Sequence, residues 1–298
     1  MSQAVIFALP GNSQLAHALV HILNFELGIA EIRDFPDGES LICIKTDVKN
    51  KIAILICSLD HPNPKIIPLM FMAQTLKELG AKKIILVAPY LAYMRQDKRF
   101  HSGEAISSVL FAKFLSSWID DLITIDPHLH RIHHLSEIYS ISNIVTLHAT
   151  KNIANWISHN VDSPLLIGPD EESRQWVSEI SEYANLPCVI GQKNRLGDRE
   201  VITTIAKNKN TANTPVLVDD IISSGASMVA AINLLLTQGF KKPICIGVHA
   251  LFDTKAEQNL MRSGASLVVT CNTILHSTNK IDLTEVIAKG LSKLLGFR

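Results

Sequence analysis

Short apolar runs of strand length recur along the whole chain, and most of them precede a segment with apolar residues at helical spacing. Two helical segments, residues 66–79 and 228–238, run directly into Gly80 and Gly239, and glycine commonly ends a helix. This alternation predicts an α/β protein in which mostly parallel sheets are flanked by helices. The eight apolar runs are residues 5–9, 52–57, 84–88, 122–125, 165–167, 216–218, 244–248 and 267–269.

The chain has 298 residues, which is enough for two domains of ordinary size. One strand-end pattern occurs twice, in residues 85–89 (ILVAP) and 165–169 (LLIGP), and this repetition indicates two similar halves. We therefore expect an N-terminal domain of residues 1–143 and a C-terminal domain of residues 144–280. Residues 281–298 are expected to form a helix that packs on either domain.

Two segments interrupt the alternation of strands and helices. In residues 33–45 a PDG turn signal at residues 36–38 precedes alternating apolar residues, which predicts a β-hairpin projecting from the first domain. A projecting hairpin favours contacts between subunits, so we expect a homo-oligomer, either a dimer or larger. Residues 191–200 carry Lys193 and Arg195 among few apolar residues, which predicts a mobile loop.

The composition excludes several classes of protein. The 28 basic and 28 acidic residues cancel, so no overall field draws the chain to nucleic acid or to an anionic membrane. The five cysteines never form a C-x-x-C pair, which favours reduced thiols over disulfides or zinc ligands. No apolar stretch is long enough to span a bilayer. We therefore expect a cytoplasmic protein with neither nucleic-acid nor membrane partners.

Residues 216–227 (VLVDDIISSGAS) give the sharpest functional signal. An apolar strand leads to Asp219 and Asp220, and a turn of small residues then opens a helix, whose amide groups can surround a phosphate. The two carboxylates could accept hydrogen bonds from the hydroxyls of a ribose whose phosphate fills that turn. A capped helix with solvated aspartates is the alternative. The phosphate-binding candidates are Ser223, Ser224, Gly225, Ala226 and Ser227.

Two cationic segments suit phosphate chemistry. Residues 95–98 bring cations, an amide and nearby aromatic residues shortly after a strand, a composition suited to a polyphosphate and a purine. Lys193 and Arg195 lie on the second irregular segment. Transfer of a phosphoryl group needs stabilisation of charge, which cations on a closing loop provide.

Candidate metal ligands also follow strands. His128 comes two residues after Asp126, and Asp170 ends a strand of the second half. Magnesium prefers oxygen ligands, so a histidine contact is unusual, and a magnesium role for these two residues is what the family resemblance given below implies. The histidines at positions 128, 130, 133 and 134 allow an alternative, a zinc site typical of a metallohydrolase. Such a hydrolase would not need the phosphate-binding turn.

The segment at residues 216–227 resembles the phosphoribosyl-binding signature of the type I phosphoribosyltransferases and of the ribose-phosphate pyrophosphokinases. Together with further matches, the resemblance to the pyrophosphokinases covers nearly the whole chain. It implies two phosphoribosyltransferase-like domains and transfer of the diphosphoryl group of Mg-ATP to the 1-hydroxyl of D-ribose 5-phosphate. The products would be 5-phosphoribosyl 1-diphosphate and AMP. The further matches are residues 33–39 (RDFPDGE), 88–98 (APYLAYMRQDK), 103–107 (GEAIS), 126–128 (DPH) and 193–195 (KNR).

The resemblance also implies a role for each candidate residue. Lys193 and Arg195 would be catalytic, and His128 and Asp170 would hold Mg²⁺. The adenine of ATP would contact the hairpin of a neighbouring subunit. Ribose 5-phosphate would bind to Asp219, Asp220 and the turn formed by Ser223, Ser224, Gly225, Ala226 and Ser227. ATP would bind to Phe35, Asp37, Glu39, Arg95, Gln96, Asp97 and Lys98.

Two segments depart from the family: residues 129–134 (LHRIHH) replace the Gln-rich, aromatic segment that usually follows the aspartate-x-histidine, and residues 171–174 (EESR) replace a glycine-rich turn. Glu171 and Glu172 stand where the pyrophosphokinases usually carry a glycine-rich turn, so diphosphate binding there needs compensation from Arg174 or a metal ion. This departure leaves open a non-catalytic relative that binds nucleotide or phosphoribose and regulates a partner. A phosphoribosyltransferase that consumes phosphoribosyl diphosphate is the second alternative.

Overall fold

The structure is a computed structural model that describes residues 3–196, 200–204 and 211–296. The chain forms two units. The first consists of Met1–Leu147 and Thr284–Arg298, and the second of His148–Leu283.

The first unit contains a six-stranded parallel sheet with the strand order β2-β1-β5-β6-β7-β8. Strands β3 and β4 pair separately as an antiparallel hairpin, which confirms the predicted hairpin. The elements up to the end of this sheet are β1 (Ala4–Ala8), α1 (Ser13–Leu23), β2 (Glu26–Leu27), β3 (Ala30–Asp34), β4 (Ser40–Ile44), β5 (Ile52–Ile56), α2 (Pro62–Glu78), β6 (Lys83–Ala88), α3 (Ser107–Ser116), β7 (Asp121–Ile125) and β8 (Asn143–Leu147).

The second unit contains a six-stranded parallel sheet with the order β10-β9-β13-β14-β15-β16 and an antiparallel pair, β11 and β12. The remaining elements are α4 (Thr150–Asn160), β9 (Pro164–Gly168), α5 (Arg174–Ala184), β10 (Cys188–Ile190), β11 (Gln192–Leu196), β12 (Glu200–Thr204), β13 (Thr214–Ile222), α6 (Ala226–Thr237), β14 (Ile244–Ala250), α7 (Thr254–Arg262), β15 (Leu267–Cys271), β16 (Asn279–Ile281) and α8 (Thr284–Leu295).

The two units repeat one topology. In chain order, their sheet strands take the same places, so that β1 corresponds to β9 and β5 to β13. Each unit also has a two-stranded hairpin after its second strand. The predicted fold class, an α/β protein of two similar units with a hairpin in the first, is confirmed.

The sequence pattern that predicted two similar halves occurs on strands that are not equivalent. The pattern at residues 85–89 ends β6, whereas the one at 165–169 ends β9, whose counterpart is β1. A strand followed by proline is too common a pattern to identify equivalent strands. The division between the units follows Leu147 instead of residue 143, because β8 pairs with β7 and completes the first sheet.

The final helix and the second irregular segment also have defined places. Helix α8 packs against α1, in the first unit. The predicted loop at residues 191–200 is wrong for its first part, because β11 pairs antiparallel with β12 from Gln192 opposite Thr204 to Leu196 opposite Glu200. Charged residues in this segment obscured the strand signal.

Buried apolar side chains dominate the central strands of both sheets. In a parallel sheet all carboxyl ends lie along one edge, where ligands bind in open α/β folds. Because β9 and β13 are neighbours, Asp170 lies at the same edge as Asp219 and Asp220. Among the described residues, no helix is long and apolar enough to cross a membrane.

Candidate active site

The turn between β13 and α6 has the geometry expected of a phosphate-binding turn. Gly225 adopts the left-handed conformation with φ of 75°, and α6 begins at Ala226. A Cβ atom on residue 225 would lie 3.3 Å from Leu260 Cδ2, so both the backbone and the packing favour glycine. Ser224 and Ala226 are exposed, which leaves the first turn of α6 open to an anion.

The hydroxyl of Ser224 helps to shape this turn. Its Oγ accepts a hydrogen bond from the backbone N–H of Ala226 at 3.4 Å, a long bond that a phosphate oxygen could replace. Further along, the N–H of Val229 donates to the carbonyl of Gly225 at 2.8 Å, which starts the regular helix. The predicted residues 223–227 therefore form one continuous turn at the start of a helix.

Three carboxylates lie at the sheet edge beside this turn. Asp170 and Asp220 are only 5% and 3% exposed, and Asp219 is half-buried. Burial raises the pKa of Asp219 well above its usual range, and the negative charges of Asp220 and Asp170 raise it further. A bound cation would relieve this repulsion, so the cluster has the electrostatic character of a cation site.

Ser173 holds Asp170 in place. The backbone N–H of Ser173 donates to Asp170 Oδ1 at 3.2 Å, and the Ser173 hydroxyl donates to the Asp170 carbonyl at 2.6 Å. A Cβ atom on Gly168 would overlap Ser173 Oγ, so glycine is needed there for this close approach. Neither Ser173 nor Gly168 was among the predicted site residues, because their signal is a close contact and not a residue type that carries chemistry.

In residues 171–174, where the sequence differs from the family pattern, Glu171 and Arg174 form an ion pair. Arg174 Nη2 lies 2.8 Å from Glu171 Oε2, and this pairing lowers the pKa of Glu171 and raises that of Arg174. Both side chains are exposed, so the pair contributes little to stability. Arg174 can therefore exchange Glu171 for a phosphate at low cost.

The two predicted magnesium ligands differ in their suitability. The oxygen atoms of Asp170 suit magnesium, and the neighbouring carboxylates add to that preference. His128 lies in the first unit, after β7, with its Nε2 atom 2.8 Å from Nε2 of His130. Magnesium binds nitrogen less readily, so the carboxylates of the second unit fit the ion better.

The predicted nucleotide segment follows β6 in the first unit. Arg95 and Lys98 are exposed, and Lys98 Nζ lies 5.0 Å from the centre of the Phe100 ring. Gln96 makes two long hydrogen bonds of 3.5 Å, through Nε2 to Glu104 and through Oε1 from Ser107. The two cations are therefore accessible to a polyphosphate.

Asp97 differs from the other members of that segment. Its side chain is 5% exposed and accepts two hydrogen bonds from Arg131. Arg131 was not predicted as a site residue. The sequence held a weak signal for it, since Arg131 lies in the segment that departs from the family after His128.

The tip of the first hairpin presents the three other predicted ATP residues. Phe35, Asp37 and Glu39 are all exposed, and the guanidinium of Arg33 lies 4.7 Å from the centre of the Phe35 ring. Asp37 Oδ1 accepts a hydrogen bond from the N–H of Glu39 at 3.2 Å, and Gly38 has φ of 88°. An ordered, exposed tip with an aromatic ring and two carboxylates is suited to contact a ligand.

The predicted catalytic residues Lys193 and Arg195 lie on β11, opposite Thr203 and Val201 of β12. Their side chains lie outside the described residues. Their catalytic roles therefore stay predictions.

Comparison with known proteins identifies the family. Residues 4–118 match the N-terminal domain of ribose phosphate pyrophosphokinase, and residues 134–283 match the phosphoribosyl transferase domain. The chain is 33% identical to the ribose-phosphate pyrophosphokinase of Saccharolobus solfataricus over 92% of this chain and 95% of the relative. The chain belongs to the ribose-phosphate pyrophosphokinase family, which is a family of enzymes.

A further relative supports this assignment, and a solved structure shows the extent of the fold. The ribose-phosphate pyrophosphokinase of Methanobrevibacter smithii is 29% identical over 94% of this chain and 97% of its own length. The crystal structure of phosphoribosylpyrophosphate synthetase from Mycobacterium smegmatis superposes with a TM-score of 0.87 over 99% of both chains, at 22% identity. The pyrophosphokinase fold therefore extends over both units.

Proposed function

We propose that the enzyme transfers the diphosphoryl group of Mg-ATP to the 1-hydroxyl of D-ribose 5-phosphate, giving 5-phosphoribosyl 1-diphosphate and AMP. Membership of the pyrophosphokinase family supports this reaction. The observation that carries the proposal is the open turn at Gly225, which directly follows a strand bearing Asp219 and Asp220. A dianionic phosphate and a vicinal diol are the chemical groups that such a pair of features recognises.

Ribose 5-phosphate would bind in the second unit. The amides and hydroxyls of residues 223–227 would hold its phosphate, since the first turn of a helix offers free N–H donors and a positive dipole end. The carboxylates of Asp219 and Asp220 would accept hydrogen bonds from the ring hydroxyls. Together these contacts fix the sugar at both ends and so orient its 1-hydroxyl for attack on the β-phosphorus.

ATP would bind through the first unit and a second subunit. The accessible cations Arg95 and Lys98 would hold the phosphates, and Gln96 and Asp97 would support the segment that carries them. Phe35, Asp37 and Glu39 on the hairpin of a neighbouring subunit would contact the adenine. This proposal requires a homo-oligomer, either a dimer or larger.

Magnesium, when bound, neutralises charge on the phosphate oxygens during phosphoryl transfer. We propose that Asp170 would hold the ion in the second unit, next to Asp219 and Asp220, and that His128 is a ligand of the first unit. Lys193 and Arg195 would stabilise the negative charge that develops on the transferred group and on the leaving AMP. The five free cysteines are in keeping with a cytoplasmic location, which we also propose.

The test is formation of AMP from ATP and magnesium that depends on ribose 5-phosphate, with 5-phosphoribosyl 1-diphosphate detected as the second product. We expect wild-type protein to form both products in equal amounts and Lys193→Ala to form them at least about 100-fold more slowly. Absence of AMP from folded wild-type protein would reject the reaction. Consumption of added 5-phosphoribosyl 1-diphosphate with a free base would instead identify a phosphoribosyltransferase.

A further inference from the structure

One ion pair ties together the loops that follow β6 and β7. Arg131 Nη1 donates to Asp97 Oδ1 at 2.8 Å, and the backbone N–H of Arg131 donates to Asp97 Oδ2 at 3.2 Å. A single residue therefore occupies both oxygens of the Asp97 carboxylate. We refer to this Asp97–Arg131 pair as the loop clamp.

The burial of Asp97 makes the loop clamp stronger than an ion pair between two exposed side chains. The Asp97 side chain is 5% exposed, whereas that of Arg131 is 51% exposed. A carboxylate that has lost most of its water depends on its charged partner, and removal of that partner leaves an unfavourable buried charge. Without Arg131, the Asp97 carboxylate regains water only if its loop moves.

The rest of this loop is anchored to a different residue. Glu104 accepts hydrogen bonds from the backbone N–H groups of Phe100 at 2.8 Å and His101 at 3.1 Å. These bonds fix the end of the loop, beyond Lys98. In the part that includes Arg95 and Lys98, Asp97 is held by Arg131, and Gln96 makes only the two long bonds of 3.5 Å to Glu104 and Ser107. Neither cation has an ion-pair partner among the described residues.

The ring of Phe100 adds a second link between the two loops. Lys98 Nζ lies 5.0 Å and Arg131 Cζ lies 5.9 Å from the centre of this ring. Each of these cations is attracted to the ring by the quadrupole of its π-system. Arg131 is therefore bound to the loop by its guanidinium in two directions, through Asp97 and through Phe100.

We infer that Arg131 is a positioning residue for the nucleotide, which acts through Asp97 on the segment carrying Arg95 and Lys98. This inference rests on the proposed binding of ATP to that segment. Asp97 then serves to hold the loop and does not itself contact ATP. Because Arg131 follows His128 by three residues, the loop clamp also links the nucleotide segment to the segment of the candidate metal ligand.

Steady-state kinetics of Arg131→Ala, Asp97→Asn and the double variant test the inference. We expect each single change to raise KM for ATP about tenfold, with KM for ribose 5-phosphate unchanged. The double variant should be no worse than either single one, because both changes break the same contact. Arg131→Lys should recover part of the affinity, since it keeps the charge but loses the planar fork.

A matched control is Lys77→Ala, which removes an ion pair of 3.4 Å with Asp120 in the same unit, near the opposite end of β7. This variant should leave KM for ATP unchanged. An Arg131→Ala variant that behaves like Lys77→Ala would overturn the inference. So would additive effects in the double variant, because they would mean that Asp97 and Arg131 act on the nucleotide independently.

Limited digestion with trypsin separates failure of the inference from failure of the proposed reaction. Without nucleotide, cleavage after Lys98 and Arg99 should be about tenfold faster in Arg131→Ala than in wild-type protein, because the loop opens more often. Equal cleavage rates would overturn the loop clamp whatever the enzyme activity. Faster cleavage in a protein that forms no AMP would support the loop clamp and reject the proposed reaction.

Discussion

The turn between β13 and α6 has a structural counterpart in the first unit, the turn between β5 and α2. Both follow corresponding strands and open a helix, and both have a left-handed residue just before it, Gly225 in one and His61 in the other. The two turns differ in charge. The second-unit turn is uncharged and exposes serine, whereas the first-unit turn carries the carboxylate of Asp60.

The first-unit turn already contains its own charged partners. Lys65 Nζ lies 2.6 Å from Asp60 Oδ1 and donates to the carbonyl of Ser58 at 2.9 Å. Pro62 and Pro64 remove two N–H donors from the first turn of α2. We infer that this repeated backbone turn can bind an anion only where the sequence leaves the helix amides free. The following predictions test that conclusion, from the largest expected effect to the smallest.

Placing an acid in the second-unit turn should abolish phosphate binding. Ser224→Asp sets a carboxylate next to the sugar phosphate, and like charges at that distance cost several kcal/mol. We expect KM for ribose 5-phosphate to rise about 100-fold, with folding unchanged because Ser224 is exposed. The control is Ser13→Asp, at the exposed start of α1. Kinetics with varied ribose 5-phosphate should show no effect of that change, and equal effects would contradict the comparison.

The carboxylates near the end of β13 should lower the stability of the protein, although they are proposed to bind the sugar. Since the pKa of Asp219 is raised, the folded protein becomes less stable as pH rises above the ordinary aspartate pKa of about 4. Asp219→Asn removes this penalty, so its melting temperature should exceed that of wild-type protein by about 2 °C at pH 7 in EDTA. The difference should vanish near pH 3, where the carboxyl is protonated in both states.

The control for this prediction is Asp253→Asn, at the start of α7 in the same unit, whose carboxylate accepts a hydrogen bond from Ala256. Because asparagine accepts the same capping hydrogen bond, this change should leave the melting temperature within about 1 °C of wild-type protein. The binding of ribose 5-phosphate should weaken at least about tenfold in Asp219→Asn. An Asp219→Asn protein that is less stable at pH 7 would contradict the assigned repulsion.

Replacing the left-handed residue of each turn should affect stability to different extents. Gly225→Ala introduces a Cβ at φ of 75° and 3.3 Å from Leu260, and should lower the free energy of unfolding by about 1–2 kcal/mol. His61 has the same left-handed conformation, with φ of 48°. Since glycine adopts it without strain, His61→Gly should change the free energy of unfolding by less than about 1 kcal/mol in either direction. Urea denaturation measures both, and a larger loss for His61→Gly would show that the turns are not equivalent.

The sequence predicted the second-unit turn because its signal is local. Strand, paired aspartates, small residues and helix follow one another within residues 216–227, so no distant contact is needed to find them. The eight predicted strands lie within observed strands or overlap them for the same reason. The sheet strands β2, β8, β10 and β16 were missed, because their neighbours in the sheet decide their pairing.

Contacts between distant residues account for the remaining misses. Arg131 meets Asp97 across 34 positions of sequence, and nothing in either segment indicates the other. The role of Ser173 depends on the missing side chain of Gly168, on a neighbouring element. The counterpart turn at Asp60 was also missed, since its prolines and charges hide the similarity that the shared strand order reveals.

The smallest effect is expected from neutralising the first-unit turn. Asp60→Asn removes the carboxylate but keeps Pro62 and Pro64, so the turn should gain no affinity for phosphate. The partly buried pair with Lys65 is lost, which should cost about 1 kcal/mol of stability. KM for ribose 5-phosphate should be unchanged, and a second bound phosphate in this variant would contradict the role given to the prolines.

Calorimetric titration of ribose 5-phosphate is the most direct test of the central claim, that only the second-unit turn holds the sugar phosphate. The titration is done with magnesium and a non-hydrolysable ATP analogue present. We expect one ribose 5-phosphate per chain, with binding lost in Ser224→Asp and kept in Asp60→Asn. Two sugars per chain, or full binding by Ser224→Asp, would contradict it.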